Sequence, residues 1–166
     1  DWPLFERVIG AALEKLELFR AQEGGMMAQE LEGLCGAMLD EVDAIATRAP
    51  QVVAAYRDRV RDRVHDLLAG SGVEIHDGDL LREVSVFADR CDITEELMRL
   101  RSHLDQFRAL LKVRESTGRK LEFLCQEMFR EINTVGSKAN DVVIAHHVVD
   151  VKAAIEKIRE IVQNVE

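Results

Sequence analysis

Two stretches of this chain carry side chains whose types and spacing suit chemistry. The first is Asp92, Glu95, Glu96, Arg99 and His103. Glu96, Arg99 and His103 follow one another at i, i+3 and i+7, so on a helix they share one face, beside an apolar seam through Leu97, Leu100 and Leu104. A carboxylate and an imidazole placed there could bind a divalent metal or move a proton. The plainer alternative is that Glu95 pairs with Arg99 one turn on, while His103 hydrogen-bonds at a packing boundary. The second stretch is residues 118–138, GRKLEFLCQEMFREINTVGSK. Glu127 and Glu131 stand at i, i+4 with Arg130 beside them, and Asn133, Thr134, Ser137 and Lys138 gather where the helix should end. Paired carboxylates next to hydroxyl, amide and ammonium groups could hold a metal on one side and a phosphate on the other. An ordinary amphipathic helix with a polar end fits the same pattern.

Other charged groups read more simply. Arg57, Arg59, Arg61 and Arg63, with Asp58 and Asp62, form a solvated helix face. His146 and His147 are neighbours about 100° apart on a helix, which suits surface or interface positions better than shared ligation. Cys35, Cys91 and Cys125 are odd in number, form no CxxC pair, and fall at or beside apolar helical positions, as small buried residues in a reducing compartment would. There is no glycine-rich phosphate loop, HExxH or GxSxG motif.

The elements that must position these groups are helices. Apolar residues recur at helical spacing from Phe5 to about Ala46: Val8, Ala12, Leu16 and Phe19, then Met27, Leu31, Leu34, Met38, Val42 and Ile45. Gly24 and Gly25 interrupt this run at a cost of roughly 2 kcal/mol relative to alanine, which predicts a break or a close approach of another backbone or a ligand. Pro50 suits the first turn of a second helix with an inward stripe of Val53, Tyr56, Val60, Val64 and Leu67. Gly70, Ser71 and Gly72 stop it, Val73 to Asp79 forms a loop or short extended piece, and a helix starts near Asp79. Asp92 and Glu95 stand at capping-box spacing ahead of a heptad seam through Ile93, Leu97, Leu100, Leu104, Phe107 and Leu111. Ser116, Thr117 and Gly118 punctuate; the next helix turns Leu121, Leu124, Met128, Ile132 and Val135 inward and ends at Gly136 and Ser137. Asn140 then caps a last helix whose seam, Ile144, Val148, Val151, Ile155, Ile158, Val162 and Val165, spans about 33 Å and calls for a long, straight partner. The fold class is all-α: an elongated bundle of five or six helices with negligible sheet. Residues 1–78 form a helical arm of two or three helices and 79–166 a C-terminal helical domain.

At 166 residues and 47% hydrophobic content the chain can bury one core. No run of about 18 apolar residues could span a bilayer and no signal peptide is recognisable, so a soluble, cytoplasmic protein is expected. Because Asp1 is not a start methionine, a preceding part of the protein is expected as well. The net charge of −9 argues against a generic nucleic-acid ligand, since phosphate binding draws its energy from cationic groups. Residues 101–140, with eight bases against five acids, are the one long net-basic segment.

Residues 118–138, together with a last helix ending IEKIREIVQNVE, resemble the C-terminal signature of the YicC/YloC family of bacterial proteins. DRCDITEELMRLRSHLDQF at 89–107 resembles that family's other strong block, and Arg20, Glu23 and Gly24 look like its RxxEG element. The resemblance covers essentially the whole chain. It implies the C-terminal half of a metal-dependent endoribonuclease that acts on single-stranded or structured RNA as a homohexameric clamp, its N-terminal half lying before Asp1. By that resemblance His103, Glu127 and Glu131 are the catalytic candidates. Glu96, Glu127 and Glu131 would hold Mg²⁺ or Mn²⁺; Arg119, Lys120, Arg130, Asn133, Ser137 and Lys138 would contact RNA. Phe129 stands where the family usually has asparagine, and Glu122 where aspartate is common. The competing expectation is a non-catalytic helical scaffold, with the active groups in the other half.

Overall fold

The computed structural model describes residues 2–70, 76–113 and 117–163, and all regular structure among them is helical. Five helices follow one another: α1 (Trp2–Leu68), α2 (Asp77–Cys91), α3 (Thr94–Leu110), α4 (Gly118–Lys138) and α5 (Val142–Val162). The expected stops at Ser71, Gly72 and Ser116, the loop positions 73–75 and the seam position Val165 lie outside the described residues.

α1 runs unbroken for 67 residues, about 100 Å at 1.5 Å per residue, which corrects two expectations. Gly24 and Gly25 do not break the helix, and a Cβ built on either meets nothing within 4 Å among the described residues. Their cost is absorbed by propagation through the long flanking turns, because extending an existing helix needs no new nucleus. Pro50 starts no helix but sits inside this one. Its missing N–H leaves the carbonyl of Ala46 without its usual partner, and Ala46 lines a cavity open to water on the same side of the helix as the exposed proline. Of the stripe expected after Pro50, Val53, Tyr56, Val60 and Val64 are half-buried, whereas Leu67 is 74% exposed.

The core lies where α1, α3, α4 and α5 close on one another in that order, each packed on the next and α5 back on α1. Leu31, Cys35, Met38, Val42 and Ile45 of α1 meet the branched seam Ile144, Val148, Val151, Ile155, Ile158 and Val162 of α5, all buried. The long partner that this seam calls for is therefore the chain's own α1. Ile93, Leu97, Leu100, Leu104 and Phe107 are likewise buried against α4, with Leu111 at the margin. α2 leans on α1 from outside through a stacked Tyr56–Phe87 pair, centroids 3.7 Å apart, and a Tyr56 hydroxyl that donates to Glu83 at 3.0 Å.

Two caps differ from expectation. Asn140 does not cap α5; it takes a left-handed φ of 44° in the turn, and Asp141 caps instead, its Oδ1 accepting from Ile144 N at 3.1 Å. The same carboxylate receives Arg48 of α1 at 2.9 Å, which pins the start of α5 to the middle of α1. At α3, Asp92 accepts from the backbone and hydroxyl of Thr94 at 3.0 and 2.7 Å, while Glu95 turns outward to Arg99, so no capping box forms. Gly136 lies against α5: a Cβ there would stand 3.1 Å from Val148 Cγ1, so glycine permits this closeness. Cys35 and Cys125 are buried and Cys91 half-buried, all as free thiols.

Residues 2–26 of α1 extend beyond this core, exposed on nearly every side. The stripe expected to turn inward at Val8, Ala12, Leu16 and Phe19 is exposed, with no cover among the described residues, and Trp2 is 75% exposed. No helix among the described residues is long and apolar enough to cross a membrane.

Candidate functional site

α3 and α4 pack along their apolar seams, and this brings the two chemically interesting faces together. On α4, Glu127, Arg130, Glu131, Thr134 and Lys138 fall at i, i+3, i+4, i+7 and i+11, one continuous stripe. Opposite it stand Glu96, Arg99 and His103 of α3. Between the helices opens a cavity of about 540 Å³ lined by Glu96, Arg99, His103, Glu127, Arg130, Glu131 and Thr134.

Two of its carboxylates are buried, Glu96 with 7% of its surface exposed and Glu131 with 6%. Charges so placed require partners, and each has one from the facing helix. Lys138 Nζ donates to Glu96 Oε1 at 2.7 Å and to the carbonyl of Asp92 at 3.3 Å, tying the end of α4 to the start of α3. Arg99 reaches Glu131 at 3.7 Å while also pairing with Glu95. Burial pushes the Glu96 carboxyl up, but the hydrogen bond and charge of Lys138, helped by Arg99, outweigh it and hold the group below the ordinary carboxylate range. The Lys138 ammonium is correspondingly raised by its hydrogen bond to Glu96. Two buried atoms of the cleft have no hydrogen-bond partner, Glu96 Oε2 and His103 Nδ1.

The remaining candidates lie elsewhere. Arg119 and Lys120 are exposed in the first turn of α4, about 15 Å or more along the helix from Arg130. Asn133 and Ser137 are exposed off the cleft face, the Ser137 hydroxyl donating to the carbonyl of Thr134. Phe129, the departure from the family pattern, packs half-buried against the core with Lys152 5.8 Å from its ring, so it lies off the cleft. His147 is half-buried and meets Glu41 at 2.5 Å, whereas His146 is exposed. Sequence spacing proposed the Arg99–Glu95 pair but missed the cross-helix pairs Lys138–Glu96 and Arg99–Glu131. The signal available for them was that each predicted face carries both a carboxylate and a cation.

Whether the cleft suits a divalent ion follows from its donors. Among the described residues no three His, Cys, Asp or Glu side chains converge closely enough to hold one. Lys138 and Arg99 also occupy the two deepest carboxylates. As arranged, these residues do not fit the ion.

Fold and cleft define an all-α protein with acid, base and cationic groups gathered between two helices. Residues 45–166 match the family described as endoribonuclease YicC-like, C-terminal, and the chain belongs to that family. It is 38% identical over 165 residues to a protein of Clostridioides difficile named probable endoribonuclease YicC, covering 99% of this chain and 56% of that one. A protein of the same name from Haemophilus influenzae is 31% identical over 147 residues, 89% of this chain and 50% of its own length. The chain spans about half the length of the curated relatives it matches.

Proposed function

We propose that this chain is the C-terminal part of an endoribonuclease acting on single-stranded or structured RNA, with the α3–α4 cleft as its reaction site. The observation that carries the reading is the convergence of His103, Glu127 and Glu131 with Arg99 and Arg130 around one cavity. The arginines face the phosphodiester, where bidentate guanidinium contacts neutralise charge that grows as phosphorus is attacked. His103 and Glu127 accept and return the proton. In the ion-free route the ribose 2′-hydroxyl gives up its proton, O2′ bonds to the adjacent phosphorus, and the P–O5′ bond breaks. The departing 5′-oxygen then takes a proton, leaving a 2′,3′-cyclic phosphate and a 5′-hydroxyl. Mg²⁺ or Mn²⁺ dependence belongs to the proposal through Glu96, Glu127 and Glu131. It requires Lys138 and Arg99 to give way first.

The proposal includes a cytoplasmic homo-oligomer, a hexameric clamp around RNA, and its support is the arm. Trp2, Phe5, Ile9, Leu16 and Phe19 lie exposed along one helix beyond the core, a surface that is costly to leave in water. Arg119, Lys120, Asn133 and Ser137 then contact RNA away from the cleft. A second reading, a non-catalytic scaffold with the active groups elsewhere in the protein, is favoured by the net charge of −9.

The test is labelled RNA incubated with the longest natural form of the protein, with and without chelator, followed by analysis of the product ends. Cyclic phosphate ends in chelator support the ion-free route. Loss of cleavage in chelator with rescue by Mn²⁺ supports the ion-dependent one. Absence of cleavage under every condition refutes the enzyme and leaves the scaffold.

A further inference from the structure

We infer that the arm at residues 2–19 of α1 is a self-complementary docking surface, on which the same segment of a second copy lies antiparallel, Trp2 against Phe19 and Phe5 against Leu16. This deepens the homo-oligomer reading above and rests on it.

Within the exposed arm, Trp2, Phe5, Ile9, Ala12, Leu16 and Phe19 step by 3, 4, 3, 4 and 3, the seam of a two-stranded coiled coil about 27 Å long. All six are exposed, with no cover among the described residues. At their exposures the three aromatics offer roughly 400 Å², and Val8, Ile9, Leu13 and Leu16 roughly 200 Å² more. The largest apolar patch on a monomer is usually about 300–600 Å², and each partner in a stable interface contributes roughly 800 Å² in all. The arm therefore supplies most of one side of such an interface, while Arg7 and Glu14 on the opposite side of the helix stay in water.

The occupant follows from the pattern, which reads alike in both directions. Laid antiparallel about a two-fold axis between Gly10 and Ala11, two arms set Trp2 opposite Phe19, Phe5 opposite Leu16 and Ile9 opposite Ala12. The space beside the small Ala12 is then filled by Ile9. A parallel pair in register would place Ala12 against Ala12 and Phe5 against Phe5, a void in one layer and crowding in another.

Charge sets the same direction. Glu6, Leu13 and Arg20 form one edge of the seam, with the acid at one end and the base at the other. In the antiparallel pair Glu6 and Arg20 of the second copy lie about 7.5 Å apart along the axis. Each side chain leans toward the N-terminus of its own helix, so the two incline toward one another, and the two-fold repeats the pair. In parallel register Lys15 on the other edge meets Arg20 of the second copy, a like-charge contact. A second copy thus matches the arm in both size and charge.

The test is cysteine pairing in the longest natural form of the protein. Phe5→Cys and Leu16→Cys are made with Cys91→Ser, because Cys91 is half-buried whereas Cys35 and Cys125 are buried. Each is oxidised alone and after co-expression with the other, and compared on a non-reducing gel with Cys91→Ser protein treated alike. In the antiparallel pair positions 5 and 16 share a level, while like positions stand about 16 Å apart along the axis, beyond the roughly 7 Å Cα separation that a disulfide spans. The expected result is a linked dimer in the co-expressed pair at about tenfold or more its level in either protein alone. Equal linkage in the separate proteins means a parallel pair, and no linkage in any means that something else covers the arm; either overturns the inference. Should a cysteine variant fail to fold, charge reversal decides. Glu6→Arg and Arg20→Glu should each weaken self-association by up to about tenfold in sedimentation, and the double reversal should restore it. Unaltered association in both single variants, or no recovery in the double, overturns the inference. An oligomer of unchanged mass without the mixed disulfide would leave the homo-oligomer reading intact while removing this one.

Discussion

Leu100→Ala probes the seam that sets the width of the cleft. Leu100 is fully buried on α3, between Glu96 and His103 in sequence, within the face that packs on α4. Truncation removes three carbons, worth about 2.4 kcal/mol at about 0.8 kcal/mol each. A cavity of at most roughly 80 Å³, at about 24 cal/mol per Å³, adds up to about 1.9 kcal/mol when the surroundings do not relax. The expected loss is therefore about 2.4 to 4.3 kcal/mol, a large share of the roughly 5–15 kcal/mol that holds a domain together. Urea unfolding followed by circular dichroism measures it, with Leu81→Ala as control, since Leu81 is exposed on α2 and its truncation should cost under about 0.5 kcal/mol. A Leu100→Ala loss below about 1 kcal/mol, or one no larger than the control, would refute the packed α3–α4 seam and the cleft built on it.

Three further outcomes follow from the same interactions. The Glu96 carboxyl is held down by Lys138, and that of Asp141 by its hydrogen bond to Arg48. Their contributions are complete above the ordinary carboxyl values of 4.5 and 3.8 and are lost as pH falls through the lowered ones, so stability should drop on acidification below about pH 4.5, and less steeply in Glu96→Gln. Asp141→Ala removes both the cap of α5 and the Arg48 contact, and should cost about 1–2 kcal/mol in urea unfolding, with fraying at residues 142–145 seen by amide exchange. Burial raises the Cys35 thiol to about 11 and the Cys125 thiol to about 12, and raises half-buried Cys91 less. Native protein at pH 8 should therefore give one thiol, Cys91, to a thiol reagent well before the other two, and all three together after unfolding.

Most of the architecture could be read from periodicity. Helical spacing located the described helices, and the 4,3 seams named nearly every core residue of α3, α4 and α5, because a buried helical face leaves the same imprint whatever covers it. What covers it is not imprinted, so the Ile144 seam suited another copy of the chain as well as α1. Gly24, Gly25 and Pro50 misled for a related reason: their local cost is real, yet one long cooperative helix absorbs it. At the site, spacing alone put Glu96, Arg99 and His103 on one face and Glu127, Arg130 and Glu131 on another. That the two faces meet, and that Lys138 reaches back to Glu96, depends on the crossing of α3 and α4, which no local pattern encodes. Arg119, Lys120, Asn133 and Ser137 were grouped with the site by closeness in sequence, but helical rise and rotation carry them away from it.

The most direct test of the α3–α4 cleft as the place where RNA is cut is the single-turnover cleavage rate of labelled RNA by the longest natural form of the protein, compared with His103→Ala and Glu127→Gln variants of matched stability. Loss of a positioned proton-transfer group lowers such a rate by about 10²-fold or more, and that drop is expected in each variant with RNA binding retained. Undiminished cleavage in both variants would contradict the assignment.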